Sequence, residues 1–227
     1  MTAILSNLQA IHTAIDQAAH KARRNPSGIT LLAVSKTVPA QVIRVAYGCG
    51  QTAFGENYAQ EALDKMQLLR DLPLEWHFIG PVQSNKTRLI AENFSWVHSV
   101  DRLKIAQRLS EQRPDNLPPI NICLQVNVSQ EELKGGVKYE EAEAVALAIA
   151  SLPRLKLRGL MAIPAPADEL SAQRRPYARM RELLLQLNHR DLNLDTLSMG
   201  MSHDLSAAIL EGATIVRIGT AIFGGRA

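Results

Sequence analysis

Eight short apolar, β-prone runs, each but the last followed by a stretch with helical spacing, constrain this chain more than any other feature. The runs lie at residues 29–34, 52–54, 76–79, 96–100, 120–128, 155–163, 194–199 and 213–218. Helical periodicity is read at 39–46, 59–72, 84–92, 102–112, 139–151, 168–188 and 203–211, with one further helix at 2–24 ahead of the first strand. Gly and Pro punctuate the joints, as in Asn25-Pro26-Ser27-Gly28, Gly80-Pro81 and Pro164-Ala165-Pro166. Asp101 is expected to cap the 102–112 helix, Pro176 to kink or split the 168–188 helix, and Leu183, Leu184, Leu185 and Leu187 to form its buried side. Residues 131–137 read as a mobile loop. Strict strand–helix alternation implies a parallel sheet with right-handed crossovers. Eight units in 227 residues suit an α/β fold of one domain, a single (β/α)8 TIM barrel spanning 1–227, with the leading helix in the place of a missing eighth. An open doubly wound sheet is the alternative, but no Gly-x-Gly-x-x-Gly turn follows the first strand.

Composition matters here for what it excludes. With 46% hydrophobic and 21% charged residues, the chain can bury one sizeable core. No apolar stretch approaches the length of a membrane span, and residues 1–7 lack a basic segment followed by an apolar block, so neither a membrane nor a secretory route is expected. Cys49 and Cys123 are the only cysteines, which suits reduced thiols in a cytoplasmic protein. A net charge of +3 is too small to argue for nucleic acid, and the basic groups at 21–24 and 174–181 read as solvated helix faces. There is no His-Glu-x-x-His or clustered Cys/His pattern, so no metal is expected.

In such a barrel the chemistry sits at the C-terminal ends of the strands. Those ends carry Lys36, Asn57, His77, Asn127, Met161, Ser198 and Arg217, with Gly200-Met201-Ser202 and Gly219-Thr220 in the last two loops. Lys36 ends an apolar run, and an amine held against apolar walls keeps a neutral, nucleophilic form more readily. Small residues in the last two loops let backbone N–H groups approach an anion, and the hydroxyls of Ser198, Ser202 and Thr220 add donors. One amine and one phosphate cradle on the same rim suit a ligand with both an aldehyde and a phosphate, of which pyridoxal 5′-phosphate is the obvious example. Plainer readings stand beside these: Lys36 as the first solvated residue after a strand, His77 as a packed histidine, Met161, Met199 and Met201 as core filling.

Several blocks of the chain resemble the pyridoxal phosphate homeostasis protein family. They are Ala33-Val34-Ser35-Lys36-Thr37, Phe54-Gly55-Glu56-Asn57-Tyr58, His77-Phe78-Ile79-Gly80-Pro81-Val82-Gln83-Ser84-Asn85-Lys86, Gly159-Leu160-Met161-Ala162-Ile163-Pro164, Ser198-Met199-Gly200-Met201-Ser202 and Val216-Arg217-Ile218-Gly219-Thr220-Ala221-Ile222-Phe223-Gly224. The resemblance covers essentially the whole chain and implies the fold-type III barrel, like the N-terminal domain of alanine racemase. It implies that Lys36 forms the internal aldimine with pyridoxal 5′-phosphate. Ser198 or Ser202, Gly219 and Thr220 would hold the phosphate beside Met201, Arg217 would face the pyridine nitrogen, and Asn57, His77 and Met161 would line the pocket. The implied role is non-catalytic: holding the cofactor and supplying it to apo-enzymes.

Two features agree with that role. A guanidinium at Arg217 can only donate, so it cannot support a protonated pyridinium as a carboxylate would. The chain also ends at Ala227, just past the eighth strand, so no second domain is expected to cover the rim. A racemase acting through the same lysine and a Schiff-base aldolase-type barrel acting on a sugar phosphate are the alternatives. Lys134 is the residue to examine for a second cofactor site. A monomer is expected, because no long apolar helix face is left over.

Overall fold

Strands buried on both faces need apolar residues pointing outward to helices and a tolerant mixture pointing inward, and the eight runs meet that demand by closing on themselves. The computed structural model describes residues 3–129, 131 and 135–225. Its strands are β1 Thr30–Val34, β2 Ala53–Glu56, β3 Glu75–Phe78, β4 Trp96–Val100, β5 Ile120–Asn127, β6 Val137–Lys138, β7 Leu155–Met161, β8 Thr196–Ser198 and β9 Ile215–Ile218. Its helices are α1 Ala3–Lys21, α2 Ala40–Gly48, α3 Ala59–Leu68, α4 Thr87–Asn93, α5 Leu103–Gln112, α6 Ala142–Ala150, α7 Leu170–Asn188, α8 Leu205–Leu210 and α9 Thr220–Phe223. The sheet runs β4-β3-β2-β1-β9-β8-β7-β5, all pairs parallel, and a β4–β5 pairing closes it into an eight-stave barrel.

The short β6 is not a stave. It pairs with the end of β5 through Val126↔Val137 and Asn127↔Lys138, so Val137, expected at the edge of a mobile loop, is in a strand. Lys134 lies outside the described residues. Helix α1 packs against α2, α8 and α9. Because α9 is a single turn, the leading helix fills the gap an eighth full helix would cover, and Asn7 Nδ2 donates to the Ile222 carbonyl at 2.9 Å to fasten it there.

Strand parity divides the apolar residues into two layers. The large outer layer, between staves and helices, includes Leu31, Ala33, Phe54, Phe78, Val97, Leu124 and Leu160. A small lumen cluster holds Leu32, Ala53, Trp96, Cys123, Met161 and Ile215. Gly159 is needed where β7 crowds β8: a Cβ there would lie 1.8 Å from the Thr196 carbonyl oxygen. The register of β5 against β7 shifts opposite that glycine, which turns Met161 into the lumen.

Two local expectations are corrected and a third is narrowed. Arg102, not Asp101, stands at the cap position of α5, and the Asp101 carboxylate accepts Arg102 Nη1 at 2.7 Å instead of capping a backbone N–H. Leu185 faces outward, while Tyr177, Met180, Leu183 and Leu187 form the buried stripe of α7. That stripe keeps α7 continuous through Pro176, so the proline removes one donor without splitting the helix. Among the described residues, no helix is long and apolar enough to cross a membrane.

Candidate functional site

The turn that carries Lys36 is built by residues that no sequence pattern groups together. Ser35 extends β1 pairing by donating its N–H to the Gly55 carbonyl at 2.9 Å. Lys65, on α3, is buried and donates to the Ser35 carbonyl at 2.7 Å, to Glu56 Oε1 at 2.8 Å and to Glu61 Oε1 at 2.5 Å. The Ser35 hydroxyl donates to Glu56 at 2.6 Å, and the Thr37 N–H donates to Glu61 at 2.6 Å. Thr37 sits at φ +64, a left-handed conformation that costs a β-branched residue roughly 1–3 kcal/mol and that surrounding contacts must hold. Burial pushes the Glu56 carboxyl up, opposed by its bonds to Lys65 and Ser35.

Between these anchored neighbours, Lys36 lines a cavity of about 240 Å³ with Val34, Pro39, Val42, Gly219 and Thr220. Its amine makes no hydrogen bond or ion pair among the described residues, and Lys36 is the sole titratable side chain among the described residues lining that cavity. The first turn of α9, beginning at Thr220, leaves its leading N–H groups without intrahelical partners on this side. The structure thus brings together Lys36, Gly219 and Thr220.

Asn57 lines a neighbouring cavity of about 290 Å³ with Tyr58, Phe78, Pro81, Gln83 and Lys86. Its Oδ1 is buried with no hydrogen-bond partner among the described residues. Gly80 sets its position from below, since a Cβ there would lie 2.1 Å from the Asn57 carbonyl oxygen. Met201 and Ser202 are exposed in the turn after β8. That turn is tied to β9 by Arg217 N–H donating to the Gly200 carbonyl at 2.9 Å, and to α7 through Asp204, which accepts from Met201 N–H and from the Tyr177 hydroxyl at 2.6 Å each. The Asn127 amide serves the backbone of Glu131, not either cavity.

Four expected rim residues lie deeper. Arg217 is 5% exposed and donates to the Ser198 carbonyl at 2.6 Å, the Ser198 hydroxyl at 2.8 Å and the Ala162 carbonyl at 2.9 Å. The Ser198 hydroxyl is wholly buried and also meets His98 Nδ1 at 2.7 Å, so it is not placed to bind a phosphate on the rim. Its polarity is already spent inside the lumen, and that expectation is corrected. His77 is 1% exposed, stacked on Trp96 with ring centroids 5.4 Å apart, and bonded through Nδ1 to His98 Nε2 at 2.9 Å. It therefore belongs to the barrel interior instead of the pocket wall. Met161, 1% exposed, packs in the lumen cluster.

Burial pushes both imidazoles below their ordinary range, furthest for His98 beside His77 and Arg217. Burial also lowers Arg217 and pushes the Cys123 thiol up to about 12.

His98 and Lys65 were missed at the sequence level. The signal for His98 was its parity with Trp96 in one strand. The signal for Lys65 was its spacing from Ala62 on the helical face that also carries Ala59, with Glu61 four residues before it.

Comparisons with known proteins identify the family and the fold. The family model described as "Alanine racemase, N-terminal domain" matches residues 6–227. A protein of Pseudomonas aeruginosa named pyridoxal phosphate homeostasis protein is 62% identical over 226 residues, covering 100% of this chain and 97% of that one. The protein of the same name from Escherichia coli K12 is 52% identical over 229 residues, covering 100% and 98%. Among solved structures, PipY of Synechococcus elongatus with pyridoxal phosphate bound superposes with a TM-score of 0.85 at 36% identity, covering 97% of this chain and all of that one.

Proposed function

This chain belongs to the pyridoxal phosphate homeostasis protein family, built on the alanine racemase N-terminal-domain barrel, and on that premise we propose that it holds pyridoxal 5′-phosphate on Lys36 and releases it to apo-enzymes. The observation that carries the reading is a lysine amine, unpartnered among the described residues, that lines one cavity with Gly219 and Thr220. The cofactor supplies an aldehyde that bonds reversibly to an amine. The chain's own residues then divide the work of holding it. Lys36 would provide the covalent bond, held in place by the Lys65–Glu56–Glu61 cluster behind it. Gly219, the Thr220 hydroxyl and the leading N–H groups of α9 would take the phosphate, with Ser202 and Met201 across the rim. Arg217 would present its remaining donors to the ring nitrogen, and the orphaned Asn57 Oδ1 is an acceptor that a ligand hydroxyl would fill. Met161 would floor the site, with His77 beneath it.

A holding role without turnover fits the same cavity. Racemisation needs an acid or base on each face of a bound substrate's α-carbon, and the described lining offers only Lys36. Release to an apo-enzyme then amounts to exchange of one lysine amine for another, which an open rim permits. The experiment is an absorbance spectrum of purified protein before and after borohydride, with the labelled peptide identified. We expect a visible band, label fixed on Lys36, and loss of both in Lys36→Ala. A protein that stays colourless after reconstitution would sink the cofactor reading. Rapid Lys36-dependent α-proton exchange of alanine or serine in deuterated water would sink the non-catalytic part and favour a racemase.

A further inference from the structure

Arg217 is held from beneath, and what holds it crosses the lumen. Its Nη1 meets the Ser198 hydroxyl at 2.8 Å, that hydroxyl meets His98 Nδ1 at 2.7 Å, and His98 Nε2 meets His77 Nδ1 at 2.9 Å. His77 Nε2 lies 3.2 Å from Glu75 Oε2, within ion-pair distance though not in full hydrogen-bond alignment, and no other polar atom of the described residues takes that nitrogen. The other Glu75 oxygen accepts Trp96 Nε1–H at 3.1 Å, which fixes the carboxylate. The five groups come from β9, β8, β4 and β3. The inner four are buried, whereas the Glu75 side chain, on the first residue of β3 and so at the opposite mouth of the barrel, is half exposed.

The two ends determine every proton between them. A guanidinium can only donate, an ionised carboxylate can only accept, and a neutral imidazole has one of each. Both rings are buried and pushed toward the neutral form. With the His77 proton on Nε2 toward Glu75, His77 Nδ1 must accept, so His98 Nε2 must donate. His98 Nδ1 must then accept, which turns the Ser198 O–H toward it and leaves the Ser198 lone pairs facing Arg217. The reverse order would set a ring lone pair against a carboxylate. It would also free the Ser198 hydrogen to turn toward the arginine.

We propose that Glu75, His77, His98 and Ser198 form a one-way hydrogen-bond chain that orients Arg217, so that a carboxylate at one mouth of the barrel is a positioning residue for the cofactor site at the other. The last link, from Arg217 to the ring, rests on the proposed function. The earlier links do not.

The test reads imidazole 15N resonances and the Arg217 Nε–H resonance in cofactor-free protein, then pyridoxal phosphate affinity and its visible band, for wild type, Glu75→Gln and Ser198→Ala. We expect both histidines protonated on Nε2 in the wild type. A side-chain amide can donate as well as accept, so Glu75→Gln should mix or reverse the tautomers and move the Arg217 resonance. Loss of one ordering hydrogen bond should weaken cofactor affinity roughly fivefold in either variant and shift the band. Thermal midpoints identify any variant that has lost its fold, and the partly exposed Glu75 site keeps a usable one. An Nδ1-protonated His77 or His98 in the wild type overturns the chain, and an Arg217 resonance unmoved in both variants overturns its reach. A wild type that takes up no cofactor overturns the proposed function instead, while tautomers and the Arg217 resonance still decide the chain.

Discussion

Replacing Lys65 with methionine keeps most of the side-chain volume and removes one buried charge. In the native chain that amine contacts the Ser35 carbonyl, Glu56 and Glu61, and Glu56 is itself wholly buried, with Oε2 already lacking a partner among the described residues. After the substitution Glu56 keeps only the Ser35 hydroxyl. Removing one member of a buried pair leaves the other charge uncompensated, at a cost of about 3–5 kcal/mol, a large part of the ~5–15 kcal/mol that holds a domain together. The sign with pH follows from Glu56. Its folded pKa is raised by burial, so its contribution is largest below the unfolded value and falls as pH rises through the folded one. Without Lys65 that pKa climbs further, and the deficit should be larger at pH 7 than at pH 5. Urea unfolding of Lys65→Met at both pH values measures it, and adding Glu56→Gln should recover much of the loss. A deficit below about 1 kcal/mol at pH 7, no change between the two pH values, or a double variant no better than the single would refute the reasoning.

Two further outcomes are expected. Gly80→Ala must force a Cβ into a site 2.1 Å from the Asn57 carbonyl oxygen, and overpacking of about 2 kcal/mol should lower the thermal midpoint by roughly 4–8 °C; an unchanged midpoint would show that the β3 turn yields freely. Thiol titration of the native protein should find Cys49 reactive and Cys123 silent until unfolding, because Cys123 is wholly buried with its pKa pushed up to about 12; rapid native labelling of Cys123 would contradict that burial.

The stave count, the order of elements and the candidate lysine were legible because each depends on local periodicity. Alternating apolar runs mark staves, and a cationic residue at the end of Leu31-Leu32-Ala33-Val34 marks a rim. Element edges were less legible. Asp101 looks like a cap, yet its carboxylate finds the Arg102 guanidinium closer to hand, and Leu185 sits one position off the buried stripe. The strand at Val137–Lys138 is too short to carry periodicity and exists only because β5 offers it an edge.

The linear order of residues dictated which of them reach the C-terminal ends of the strands. Lys36 lies more than 180 positions before Gly219 and Thr220, yet all three line one cavity, because β1 and β9 are neighbours in a closed ring. Depth along the lumen emerges only on folding. Ser198, His77 and Met161 occupy strand ends by number, but stagger between staves sinks them beneath the rim, where a hydroxyl and an imidazole must find partners inside. The buried pairing of Lys65 with Glu56 and the chain from Glu75 to Arg217 join residues from different elements. No local pattern encodes such contacts, since they exist only once the barrel has closed.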